Sequence, residues 1–281
     1  NKDADMEKVL EYVNNSFESA EEQAAFDVYD ANNINPLYGF FVARAGLGAS
    51  ESMRSKLAEY NDPRLSRAFI TKQGTSGKEQ APGTADNAVY APNGTPEQGT
   101  SKYGTSLFMY SISAPTLLLS YHELKFLEAE ALCRLERDAK SALKDAVVAG
   151  LLNAENSFTI SRKELGKTLI NAASSITEAE AESYFDNTIE AKYTAEPLKT
   201  TMTQKYFALW GASGEATESY NDVRRMKGLG ENFIELKNPN SFPLRCPYGN
   251  SDTTTNAEVK AAYGNGQYVY SENVWWAGGS R

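Results

Sequence analysis

The 281 residues carry 28 Lys and Arg against 37 Asp and Glu, a formal charge of −9 with a pI near 4.9, and this acidic balance argues against a sequence-blind binder of phosphate backbones. With 41% hydrophobic and 11% aromatic residues the chain is too apolar to be disordered and long enough to bury one large core or two modest ones. Its longest strictly apolar run, Ala146 to Leu152, is too short to cross a bilayer as a helix.

The chain opens on Asn1 and a polar first turn, so no targeting segment is expected within it, and any that existed is expected to have been removed. Met6, Val9, Leu10 and Val13 then fall at i, i+3, i+4 and i+7 and predict a short helix with one apolar stripe. Asp27 to Gly39 gathers Asp, Asn, Pro and Tyr ahead of Phe40-Phe41-Val42 and reads as a loop. Its oxygens lack the spacing of an EF-hand, so a solvated loop is favoured over a calcium site. Ser50 is placed to cap a helix running to about Tyr60, with Met53 and Leu57 on one face, and Asn61-Asp62-Pro63 stops it.

From Lys72 to Gly104 the sequence is dominated by Gly, Thr, Ser, Pro, Asn and Gln. An excursion of that length exceeds the roughly 12–15 residues beyond which a loop calls for a functional or disorder explanation. The turn signals Pro82-Gly83 and Asn93-Gly94 point to a folded, hairpin-like flap.

Pro115 suits a first helical position, with Leu117, Leu118, Tyr121, Leu124, Leu127, Ala131 and Leu135 following at helical spacing. After a break at Glu136 to Asp138, a second helix bearing Ala139, Leu143, Ala146 and Val147 is predicted to end near Gly150. The small residues between the two predict a tetratricopeptide-like pair. Thr177 and Glu180 form a capping box ahead of Ala181, Phe185 and Ile189, and Pro197 opens a helix faced by Leu198, Met202, Tyr206, Leu209 and Trp210. Gly211 and Gly214 break it before a shorter helix with Ala216, Tyr220 and Val223. The expected organisation is a single, mostly α domain over 1–281, with the polar excursion at 72–104, a helical core at 115–227 and an irregular C-terminal region at 228–281. Trp275-Trp276 is expected to pin the tail to the helices.

Chemistry motifs are sparse. Two distant cysteines, Cys133 and Cys246, and one histidine exclude CxxC redox and multi-histidine zinc sites; no metal and no cofactor is expected. There is no GxGxxG or GxxxxGK[ST] loop and no GxSxG elbow. His122 lies inside a helix between Tyr121 and Glu123 and reads as a surface or interface histidine and not as a triad member. Glu123 and Glu130 share a helical face but lie about 10.5 Å apart along the axis, outside the roughly 5–9.5 Å that glycosidases use. That pair reads as structural. Aromatics in polar loops remain: sugars present C–H faces to Tyr rings and hydroxyls to amides at the rim. Tyr38, Tyr90, Asn93 and Tyr103 are the candidate ligand-binding residues, against the simpler reading that each tyrosine packs its own loop onto the body.

The run Ser120-Tyr121-His122-Glu123-Leu124-Lys125-Phe126-Leu127-Glu128-Ala129-Glu130-Ala131, with Arg134 and Ala139 beyond it, resembles the helix signature of the SusD/RagB-like family of Bacteroidetes outer-membrane lipoproteins. Further matches follow in the family's order: Asn61-Asp62-Pro63-Arg64-Leu65 upstream, then Gln204 to Trp210, Gly214-Glu215-Ala216, Asp222-Val223-Arg224-Arg225, Phe242 to Tyr248 and Asn273 to Trp276. Two departures stand out. Thr217 to Asn221 occupy a stretch where members often carry tryptophan, and the match covers about the C-terminal half of a typical member. The family's lipidated cysteine and first helical pairs have no counterpart, so Asn1 is not expected to be the natural start.

The resemblance implies tetratricopeptide-like helical pairs with long irregular loops. It also implies a cell-surface subunit without catalytic activity, which captures an oligosaccharide or polysaccharide and hands it to a SusC-like TonB-dependent transporter. Contact with the outer membrane would be through a lipid anchor absent from this chain, and no nucleic acid is an expected partner. The alternative reading is a helical-repeat scaffold that grips a protein or peptide.

Overall fold

A computed structural model describes residues 2–44, 47–73, 79–83, 88–94, 102–211, 214–237 and 241–279. The chain divides into two compact units, 1–235 and 236–281.

In the first unit, α1 (Lys2–Asn14) packs on α4 (Tyr121–Arg134). Met6, Val9, Leu10 and Val13 are its half-buried stripe, as the spacing predicts. A two-stranded ribbon follows: β1 (Ala24–Phe26) pairs antiparallel with β5 (Thr116–Leu119), Ala25 opposite Leu117 and Phe26 opposite Thr116. The helix predicted from Pro115 therefore begins only at Tyr121. A short apolar run satisfies either period, and here β1 supplies a pairing partner while Ser120 caps α4 by accepting from Glu123 N at 3.0 Å.

The predicted loop at 27–39 also needs correction at its end, because α2 (Pro36–Arg44) starts inside it. Pro36 fits a first helical position, and buried Asn35 accepts from Leu37 N (2.8 Å) while donating to the Ala114 carbonyl (2.8 Å). α3 (Glu51–Glu59) is capped by Ser50 and buries Met53 and Leu57, and Asp62 caps the 3-10 turn Pro63–Ser66.

The polar excursion starts as a hairpin. β2 (Phe69–Gln73) lies between β3 (Glu79–Pro82) and β4 (Thr105–Ser106), with Ile70 opposite both Pro82 and Thr105. Positions 74–78, 84–87 and 95–101 of the excursion lie outside the described residues.

α4 and α5 (Lys140–Leu165) form the central pair, its core built from Phe126, Ala129, Leu143, Ala146 and Phe158, all fully buried. α5 does not stop at Gly150; it runs 26 residues. Gly150 serves packing instead, since a Cβ there would come within 2.9 Å of the Ala208 Cβ on α8. α6 (Glu178–Tyr184) continues through a π turn at Phe185–Ile189 into α7 (Glu190–Ala195), followed by α8 (Pro197–Ala208) and α9 (Glu218–Gly228). Only half of the expected capping box forms: Thr177 accepts from Glu180 N (3.2 Å), while the Glu180 carboxylate turns to Arg67 (2.9 Å). Gly214, at φ +94, leaves no room for a side chain, as a Cβ would meet the Leu117 carbonyl at 2.2 Å.

The second unit is not wholly irregular. α10 (Asn250–Thr255) and α11 (Ala257–Tyr263) occur in it, the latter capped by Asn256 accepting from Glu258 N (3.0 Å) and Val259 N (3.2 Å). Tyr248 stacks on Tyr263 at 4.4 Å, and the Arg245 guanidinium lies 4.6 Å from the Tyr248 ring centre. Trp275 is 75% exposed, and the Trp276 side chain lies outside the described residues. Trp275 sits on a tight turn in which Ala277 N and Gly279 N both donate to the Val274 carbonyl at 3.0 Å.

Candidate functional site

Three of the four candidate tyrosine and asparagine positions converge on the N-terminal end of α3. Backbone hydrogen bonds lace three segments together: Ala91 N to Ala49 O (2.7 Å), Glu51 N to Ala91 O (3.0 Å), Ala49 N to Gly104 O (2.8 Å) and Gly104 N to Val89 O (2.9 Å). Tyr90 and Asn93 lie on one of these segments, and Tyr103 directly precedes Gly104. The Ser50 hydroxyl does double duty, accepting from Met53 N to cap the helix and donating to Asn93 Oδ1 at 2.8 Å. The Asn93 amide nitrogen donates to no partner among the described residues.

Tyr90 is half-buried, set edge-on to Phe69 at 5.3 Å, and the Arg54 guanidinium lies 5.6 Å from its ring centre. Burial raises its phenol pKa. A guanidinium over the ring occupies a stacking face but still offers N–H donors, so Tyr90 acts first as an anchor for Arg54. Tyr103 is half-buried, with Lys102 Nζ 5.1 Å from its ring centre. Tyr38 is held by different elements: on the first turn of α2, it donates from its hydroxyl to Glu164 Oε1 near the end of α5 at 3.0 Å. Burial, then the Glu164 carboxylate, raises its phenol pKa.

Arg54, Lys102 and Glu164 were not among the sequence candidates. Arg54 was within reach, because a residue four after a capping serine lies on the same face of the helix.

The residues that look most like a signature sit elsewhere, in a buried polar network. Arg64 pairs with Asp62 at 2.6 Å, both almost fully buried, and donates to the Phe207 carbonyl at 2.8 Å; the Tyr184 hydroxyl lies 3.4 Å from Asp62. Lys205, 3% exposed, reaches Asp222 at 2.8 Å and Glu123 at 3.7 Å. Glu130 receives Arg225 at 2.8 Å and Arg134 at 2.6 Å, and Arg134 continues to Glu231 at 2.9 Å. Ser120 N donates to Glu215.

His122 is a core histidine, 1% exposed, not the surface or interface residue that its polar neighbours indicated. Burial, with Arg64 and Lys205 nearby, holds its pKa down at about 3, so it is neutral. Glu123 is pushed up to about 8 by burial, assisted by Glu215 against the pull of Lys205. Glu123 lies beside Lys205 while Glu130 binds Arg134 and Arg225, which fits their structural reading. These segments hold the turn after α3, α4, α8 and α9 together. Among the described residues no group of three or more His, Cys, Asp and Glu side chains could hold a metal ion, and no helix is long and apolar enough to cross a membrane.

Comparison with known proteins follows the same lines. A SusD-like family described as starch-binding and associating with the outer membrane matches residues 1–248. The fold superposes on a SusD/RagB family protein from Bacteroides thetaiotaomicron with a TM-score of 0.92 and 66% identity, over all of this chain and 60% of that one. It also resembles a SusD homologue from Bacteroides fragilis (TM-score 0.59, 19% identity, 89% of this chain and 56% of that one). A chitin-binding protein is similar too (TM-score 0.58, 19% identity, 92% and 56%). The chain thus spans about 60% of the length of the B. thetaiotaomicron relative. No curated protein matches.

Proposed function

The chain belongs to the SusD/RagB-like family, and from that premise we propose that it captures a glycan at the outer-membrane surface without cleaving it and passes it to a SusC-like TonB-dependent transporter. A lipid anchor on the complete protein would hold it at that surface. The observation that carries this reading is the family match over residues 1–248. The geometry supports it: the signature carboxylates are bound to buried cations, while Arg54, Asn93 and Tyr103 gather donors and a ring in a polar loop cluster. Sugar hydroxyls need such donors, and their C–H faces need such a ring. In this reading Tyr38 forms a separate contact point, by way of Glu164.

Isothermal titration with maltoheptaose and chitohexaose, paired with an assay for newly released reducing ends, tests the proposal. Binding of one oligosaccharide with no release is expected. Steady release, abolished by a carboxylate substitution, would overturn it in favour of an enzyme, and absence of binding to either sugar would overturn it in favour of another ligand class.

A further inference from the structure

We propose that the open groove between the turn at Asn61 to Arg67 and the α6–α7 helix is a second sugar-binding surface, taking an uncharged stretch of glycan; this rests on the carbohydrate-binding reading above. The groove has a volume of about 500 Å³, within the usual range for small-molecule sites. Asn61, Pro63 and Arg67 stand on one wall, and Glu180, Asn187 and Thr188 on the other.

Its electrostatics select the ligand class. Arg67 pairs with Glu180 across the groove at 2.9 Å, and Asp62, also in the lining, is neutralised by Arg64 at 2.6 Å. With its formal charges cancelled in pairs, the groove offers no excess cation for a phosphate or sulfate and no excess anion for an ammonium group. What remains is neutral hydrogen-bonding capacity. The side chains of Asn61 and Thr188 make no hydrogen bond among the described residues. Asn187 uses only its amide nitrogen, donating to the Ser183 carbonyl (2.8 Å) and hydroxyl (2.9 Å), so its Oδ1 is available to accept. Pro63 and Leu65 supply apolar surface between these groups, the combination that a pyranose ring with hydroxyls at its edge requires.

Each wall also departs from regular backbone. Asn61 adopts a left-handed φ of +48, a conformation that among non-glycine residues asparagine enters most readily. On the other wall, the π turn at Phe185–Ile189 inserts a residue into the helix and re-aims Asn187 and Thr188. Such single π turns concentrate at functional sites.

Hydrogen exchange on the full chain, with and without maltoheptaose or chitohexaose, tests the groove together with two variants chosen to spare the fold. Asn61→Gly removes the amide where glycine tolerates the backbone, and Thr188→Val removes a hydroxyl at constant shape. The expected result is sugar-dependent protection across 180–190 and at least fivefold weaker binding in each variant. If a sugar binds but protection is confined to 88–94 and both variants bind like the parent, the groove is overturned while the carbohydrate reading stands. If neither sugar binds, the carbohydrate reading fails and takes the groove with it. Displacement of the sugar from the groove by inorganic phosphate would overturn the uncharged ligand class.

Discussion

His122 Nε2 and Glu215 Oε2 stand 3.8 Å apart inside the first unit, both buried and neither with a hydrogen-bond partner among the described residues. The gap is too long for a direct hydrogen bond. Buried unsatisfied polar atoms are costly; beside them His122 is held neutral, and the neighbouring Glu123 is held protonated in the neutral range.

Those two shifts set opposite pH dependences. Glu123 has a native pKa of about 8 against an ordinary 4.5, so the folded state binds the extra proton between those values. Its contribution is full below pH 4.5 and is lost as pH rises towards 8, by about 1.4 kcal/mol per pH unit. His122, at about 3 against 6.5, binds fewer protons when folded; its contribution is full above 6.5 and is lost as pH falls towards 3. Between pH 4.5 and 6.5 the two slopes cancel. Urea unfolding at intervals from pH 4 to 9 should show that the stability difference between the parent and Glu123→Gln declines from pH 4.5 to 8. A pH-independent difference would contradict the assignment.

The Asp62–Arg64 pair is as buried as any ion pair among the described residues, 0% and 2% exposed. Asp62→Asn leaves the guanidinium buried without its counter-charge, and breaking a buried pair from one side costs about 3–5 kcal/mol. Replacing both residues by apolar ones, as in Asp62→Leu with Arg64→Met, should cost clearly less than the single change. Denaturant midpoints of the three proteins check this.

In the loop cluster the structure separates the two tyrosines. Tyr90 packs edge-on against fully buried Phe69, so Tyr90→Ala should lower the unfolding midpoint as well as affinity. Tyr103 contacts Lys102 at the surface, and Tyr103→Ala should weaken oligosaccharide binding by about 1–2 kcal/mol, the worth of one stacking aromatic, with a nearly unchanged melting temperature. Unchanged affinity in both variants would remove the cluster from the binding site.

What the sequence made legible was local. Ser50 and Thr177, both read as caps, accept from the backbone three residues on, a relationship contained in one turn of chain, whereas Ser120, which caps α4 in the same way, lay inside the helix predicted from Pro115. Thr116 to Leu119 were read as helix because their strand partner, Ala24 to Phe26, lies far back in the sequence and periodicity cannot see it. His122 misled for the same reason: its polar neighbours Tyr121 and Glu123 imply a surface, but burial is set by α8 and the turn at Glu215. The proposed loop cluster was half visible. Composition singled out Asn93 and Tyr103, whereas Arg54 looked like any solvated helix residue until the fold set it over Tyr90.

Gly150 gives the sharpest test of how the helical pair meets its neighbour. In the middle of α5, glycine costs about 1 kcal/mol of helix propensity relative to alanine, so Gly150→Ala would stabilise an exposed helix. Here the added Cβ would stand 2.9 Å from the Ala208 Cβ, a contact that neither rigid methyl can relieve without moving α5 from α8. Overpacking of this kind costs about 1–3 kcal/mol, which meets or exceeds the propensity gain, so the single change should be neutral to destabilising by up to about 2 kcal/mol. Ala208→Gly removes the opposing methyl at the last residue of α8 and loses a few tenths to about 1 kcal/mol in propensity. If the clash is the cause, the double variant should be more stable than the sum of the two single effects by about 1 kcal/mol or more, because the propensity gain at position 150 is then released. A double-mutant cycle on urea midpoints reads that coupling directly, and strict additivity would mean that α5 and α8 do not meet at these two residues.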